Sequence, residues 1–88
     1  MTQKDLKALG FERVDVTAGE SGYPEDWHYY TYDLTNHLSL ISCDNNEAKK
    51  NGWYVEIFDA GADIRFTSYM QLADLIYIIE NAKLKGKG

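Results

Sequence analysis

Apolar and polar positions alternate over residues 11–16, with Val14 and Val16 on one side, and this period of two predicts a strand. Two stronger strand signals follow at 27–34 and 38–43, rich in Tyr, Thr, Leu and Ile. Thr35, Asn36 and His37 lie between them. Side-chain parity sets the expected register. If Leu34 pairs with Leu38, then Tyr30, Tyr32, Leu34, Leu38 and Leu40 share one face. A two-residue turn at Thr35-Asn36 would instead place Leu38 and Leu40 beside Asp33 and Thr31. A one-residue slip exchanges the faces, so the apolar sorting favours a three-residue loop. Such a loop wants one residue near the left-handed region, a role suited to Asn36 or His37. A third long strand is predicted over 53–59, with Trp53, Val55 and Ile57 on one side, then a turn at 60–62 and a short strand at 63–66.

Helical spacing and capping signals fill the rest. Thr2 with Asp5 three residues on predicts a short helix over 3–9. Gly10 stands where a left-handed terminating residue belongs, and Phe11 can then fold back on Leu6. Gly19, Gly22 and Pro24 mark 17–26 as a loop. Asp44 and Glu47 read as a capping box for one helical turn ending at Asn51-Gly52. Ser68 and Gln71 open a longer helix whose apolar stripe is Tyr69, Leu72, Ile76 and Ile79, widened by Leu75 and Ile78. Lys83, Lys85 and Lys87 fall at its C-terminal end, where cations suit the helix dipole, and 85–88 reads as a frayed tail. The fold class is α+β: a mainly antiparallel sheet of four or five strands, a C-terminal helix packed on one face and a short N-terminal helix. Residues 1–88 read as one domain.

Composition narrows the chemistry. At 88 residues with one cysteine, Cys43, the chain cannot make an intrachain disulfide, so large apolar side chains must supply the core. One Cys and two His are too few for a Cys/His zinc site, and no cofactor is expected. The N-terminal segment has no apolar leader pattern, and no apolar run approaches the roughly 20 residues of a membrane span. The expected setting is cytoplasmic, without a membrane partner. A formal net charge of −5 argues against direct binding to nucleic-acid phosphates. Cys43 and His37 are six residues apart on one strand, or about 20 Å at roughly 3.3 Å per residue, so they form no nucleophile–base pair. His28 would face Cys43 only in the disfavoured register. Asp44, Asn46 and Glu47 resemble the start of a calcium loop, but Lys49 and Val55 occupy the positions that need glycine and glutamate. Asp59 and Asp63 flank a turn with no third ligand. There is no phosphate-binding glycine loop. The expectation is a protein without catalytic residues.

The distribution of charge says more than its total. Residues 14–48 contain no Lys or Arg and hold Asp15, Glu20, Glu25, Asp26, Asp33, Asp44 and Glu47, while the flanking segments are nearly balanced. Tyr23, Trp27, Tyr29, Tyr30 and Tyr32 crowd into the same stretch. If Tyr30 and Tyr32 face a helix, then Trp27, Tyr29, Ile41, Tyr54 and Phe58 fall on the second sheet face, edged by Asp33 and Glu56, with Glu25 and Asp26 close by. So large an apolar patch is unusual on a small domain. Loop 17–26 or the N-terminal helix could cover it. Left open, it suits a protein partner or a homodimer, since Tyr and Trp concentrate at interface cores. The acidic setting suits a basic partner, as in an inhibitor that mimics nucleic-acid charge. A base-stacking platform fits least, because it needs a cationic groove beside the aromatics.

The segments Leu6-Lys7-Ala8-Leu9-Gly10-Phe11, Tyr29-Tyr30-Thr31-Tyr32, Leu38-Ser39-Leu40-Ile41-Ser42, Gly52-Trp53-Tyr54-Val55-Glu56-Ile57-Phe58 and Asp63-Ile64-Arg65-Phe66 resemble small proteins of phages and prophages in Bacteroidetes-type bacteria. The resemblance spans nearly the whole chain and lies in strand-forming segments. It implies a phage-associated cytoplasmic protein and carries no functional residues over.

Overall fold

The computed structural model describes residues 1–22, 24–61 and 63–84. Four strands, β1 (Glu12–Val16), β2 (Trp27–Thr35), β3 (Leu38–Ser42) and β4 (Val55–Ile57), form one sheet in the order β1-β2-β3-β4. Every neighbouring pair is antiparallel. Four helices accompany them: α1 (Gln3–Ala8), α2 (Ala18–Ser21), α3 (Asn45–Asn51) and α4 (Tyr69–Ala82). This is the α+β architecture expected from the alternation.

Local chemistry explains most of the boundaries. The Thr2 hydroxyl accepts the Asp5 N–H and the Asp5 carboxylate accepts the Thr2 N–H, so both sides of the α1 capping box form. At the other end the Gly10 N–H reaches the Lys7 carbonyl and the Phe11 N–H reaches the Leu6 carbonyl, both at 3.0 Å. That paired closure needs the left-handed φ of 101° that Gly10 adopts. Residues 17–26, expected as a loop, contain the short helix α2. Thr17 and Glu20 build a second reciprocal capping box there, a T-x-x-E signature outweighed in the sequence by its glycines. At α3 only half the expected box forms: Asp44 accepts the Glu47 N–H, but the Glu47 carboxylate turns forward to the Asn51 amide. Ser68 caps α4 through the Gln71 N–H, and the Gln71 side chain accepts the Thr67 N–H.

The hairpin register is a mixture of the two alternatives. Thr31 lies opposite Ile41, Tyr32 opposite Leu40 and Asp33 opposite Ser39, which is the register of the expected Leu34–Leu38 pairing. Beyond Asp33 the pairing shifts, so that Thr35 meets Leu38 and Leu34 is the extra residue of a bulge. The tip is therefore the two residues Asn36 and His37, not three. Neither has a positive φ. Regular pairing in β4 covers only three of the seven residues expected, although Cys43–Tyr54 and Ser39–Phe58 backbone bonds extend the ladder on both sides. The expected strand at 63–66 contributes one bridge, Phe66 to Val55, closed by bonds of 2.8 and 2.9 Å. The following turn starts early, at Phe58-Asp59, with Asp59 at φ 63°. Tyr23, Ala62 and the tail with Lys85 and Lys87 lie outside the described residues.

The core forms on one face of the sheet. Leu6 from α1 and Leu72 from α4 bury against Tyr30, Leu34, Leu40 and Val55, and Phe11 closes one edge. Tyr32 packs on this cluster and donates its hydroxyl to Glu80 of α4 at 3.1 Å. Leu75, Ile76 and Ile79 pack there too, but Tyr69 and Ile78 are exposed. At about 100° per residue, Ile78 lies roughly a third of a turn from the Leu72–Ile76–Ile79 line, so the contacting stripe is narrower than expected.

Candidate functional site

Both core helices lie on the same side of the sheet, and this decides what the other side is. Residues directly opposite in an antiparallel ladder point to one face, so the registers assemble the second face row by row. Val16 and Trp27 form the first row, at the end of the sheet where α2 and α3 make their connections. Val14, Tyr29, Cys43 and Tyr54 form the next, Cys43 meeting Tyr54 through a 3.0 Å backbone bond. A third row runs Glu12, Thr31, Ile41, Glu56. The Val55–Phe66 bridge brings Arg65 beside Glu56 and extends that row to a fifth position. Asp33, Ser39 and Phe58 form the last, near the hairpin tip.

All five apolar residues expected on this face are on it. Trp27, Tyr29, Ile41 and Tyr54 are half-buried, and Phe58 is 60% exposed. The Trp27 and Tyr29 rings pack in a tilted pair, 5.7 Å between centroids. A depression of about 200 Å³ is lined by Tyr29, Thr31, Asp33, Ser39, Ile41 and Phe58. The N-terminal helix, one of the two expected covers, packs on the opposite face through Leu6. Within the loop, the Asp26 carboxylate accepts the Ala18 N–H at 2.8 Å.

The acidic rim differs from the expectation. Glu56 is clamped by Arg65, whose Nε and Nη2 donate to one carboxylate oxygen at 3.1 and 2.9 Å. The same guanidinium lies 3.7 Å from the centre of the Tyr54 ring. Burial pushes the Tyr54 hydroxyl above its ordinary pKa, with Arg65 opposing. Asp33 accepts the Ser39 hydroxyl. Glu25 and Asp26 lie in the connector ahead of Trp27, off the strand rows. Most of the 14–48 acids serve local bonds: Asp15 holds Arg13, Glu20 and Asp44 cap helices, and Glu47 holds Asn51. Arg65, Glu12 and the two valines were not legible as members of this face. Their parity was visible, but only the bridge at Phe66 and the β1–β2 register assign it a side.

Two polar clusters lie elsewhere. On the core face the Gln3 carbonyl oxygen accepts both the Tyr30 hydroxyl and the His28 ring Nε2–H, each at 2.8 Å. Burial, then the Arg13 cation, pushes the His28 pKa below its usual value. Burial pushes the Cys43 thiol up, which favours the unreactive protonated form. His28 has the parity of Tyr30 and Cys43 that of Ile41, so the sheet separates them. Among the described residues no three His, Cys, Asp or Glu side chains cluster to hold a metal ion. No described helix is long and apolar enough to cross a membrane. A smaller apolar patch, Met70, Tyr77 and Ile78, lies on the outer side of α4. No family model matches the chain, and neither a curated protein nor a solved structure does so significantly.

Proposed function

We propose that this chain is a non-catalytic protein-interaction module and that the second sheet face is its binding surface. The observation that carries this reading is the placement of α1 and α4 on one side of a sheet whose strands are apolar on both sides. Tyr29, Ile41 and Tyr54 form the contact centre, with Trp27 and Phe58 at its two ends and Asp33 and Glu56 among the polar positions. Rigid aromatic side chains supply large contact area with little rotamer entropy to lose. The phage-associated setting implied by the strand segments belongs to this proposal as its expected context.

The test compares Ile41→Arg with Tyr77→Arg, which places the same charge on the outer side of α4. Association with a second copy or another protein that survives Tyr77→Arg and is lost in Ile41→Arg supports the face. Equal behaviour of the wild type and both variants overturns it. Charge reversal at Asp33 and Glu25 separates a basic partner from an apolar one: salt-sensitive association weakened by reversal marks the former.

A further inference from the structure

The five-residue row Glu12–Thr31–Ile41–Glu56–Arg65 is asymmetric in charge across the sheet. It ends on β1 in the Glu12 carboxylate, which has no ion-pair partner among the described residues, and beside β4 in the Arg65 cation, which also holds Glu56. The face is also graded along the strands. Val16, Trp27, Val14, Tyr29 and Tyr54 gather toward the connector end, and the hairpin end holds Asp33 and Ser39 with Phe58 as its one apolar member. These two gradients select one way in which the face can meet itself.

We infer that the face pairs with a second copy of this chain about a two-fold axis parallel to the strands and passing near Ile41. Rotation about that axis keeps each row at its own level, so Tyr29 of one copy lies over Tyr54 of the other and the connector ends stay level. It also exchanges the sheet edges. Glu12 of one copy then lies over Arg65 of the other, and the pair occurs twice by symmetry. Ile41, at the middle of the row, meets its own counterpart. A two-fold axis across the strands would instead set the Trp27 end over the Asp33 end and leave aromatics facing carboxylates. Packed sheets cross at roughly 30°, which shifts the row ends, two strands from the axis, by about 5 Å, within the reach of an arginine side chain. Exposed charge pairs contribute little affinity and serve to set orientation. The apolar centre supplies the attraction, so the association tolerates salt better than one built on charge alone.

This inference rests on the proposed binding face and adds the occupant and its geometry. Sedimentation of the full chain tests it with Glu12→Arg and Arg65→Glu, both at exposed positions. In either variant alone both cross-pairs become like-charged, and the dimer dissociates about tenfold more readily. In an equimolar mixture one chain brings two cations and the other two carboxylates, so both cross-pairs are restored and a one-to-one heterodimer forms with wild-type strength. Far-UV circular dichroism of each variant alone confirms the fold. A wild type monomeric up to about 1 mM, or a mixture no stronger than its components, overturns the inference. If Ile41→Arg abolishes a dimer that the charge variants leave unchanged, this arrangement fails while the binding face stands. If the wild type is monomeric yet binds another protein in an Ile41-dependent way, the self-pairing fails alone. A monomer with no Ile41-dependent association sinks both.

Discussion

Leu40 and Ile41 are chain neighbours on the same strand, yet they belong to different physical environments. Leu40 is fully buried between β2, β4 and the helices, whereas Ile41 is half-buried on a face that neither α1 nor α4 covers. Both sides of the sheet are built from the same residue classes. Tyr30 and Tyr29, Val55 and Tyr54, Leu40 and Ile41 alternate across it. The difference shows that alternation supplies two candidate faces and that the helices choose between them. A face left over from that choice keeps its apolar side chains, and its composition is then a statement about association.

The comparison is broken most sharply by truncating each neighbour in turn. Leu40→Ala should destabilise the fold by about 3 kcal/mol, within the roughly 2–5 kcal/mol seen for buried aliphatic truncations. That corresponds to a fall in Tm of roughly 12–24 °C for a domain of this size. Ile41→Ala should cost about 1 kcal/mol or less in dilute solution, since its surroundings remain partly hydrated. Thermal unfolding of the two variants side by side reads the contrast. Equal losses would mean that the second face is covered as well as the first.

A smaller effect tests the edge of the covered face. Gly10 has φ 101°, and an added Cβ would stand 3.2 Å from Tyr32 Cε2. Gly10→Ala should therefore cost about 1–2 kcal/mol, measurable as a reduced urea midpoint. An unchanged midpoint would show that α1 can end without the left-handed turn. Ser68→Ala removes the acceptor for the Gln71 N–H at the start of α4 and should cost about 1 kcal/mol. Hydrogen exchange should rise in the first turn of α4 and leave the open face unaffected. Faster exchange at Ile41 would couple the two faces and blur the distinction.

The smallest effect is one of pH. His28 is neutral more readily in the fold than in the unfolded chain, because burial and Arg13 disfavour its cation. Acidification protonates the unfolded chain first, near the ordinary value of about 6.5. Stability contributed by this group is thus full above that pH, declines as pH falls toward the lowered folded value, and levels off below it. His28→Gln should flatten the stability profile over that window. A profile with the same slope would assign the pH dependence to other groups.

Much of the fold was legible from local signals. The T-x-x-D cap and Gly10 closure of α1, the strand pair around Asn36-His37 and the Ser68 cap of α4 all follow from side-chain chemistry within a few residues. The five apolar members of the candidate site were legible from parity alone. Three features were not. The Leu34 bulge trades a longer turn for a distorted strand, and the apolar sorting is the same either way. The helix α2 hides its Thr17–Glu20 box among glycines. Arg65 reaches Glu56 and Tyr54 only because Phe66 bridges to Val55, a non-local pairing with no sequence signature.

The sequence by itself determined the elements, the alternation and the surplus of aromatic side chains, because these depend on spacing and on bonds between near neighbours. The tertiary structure decided which face the helices cover, that Glu56 is held by Arg65, and that a cation and a carboxylate end the same row. The covered face depends on pairings between residues far apart in sequence, such as Tyr32 with Glu80, and Glu12 and Arg65 fall in one row only because the closed sheet brings its two edges into one frame.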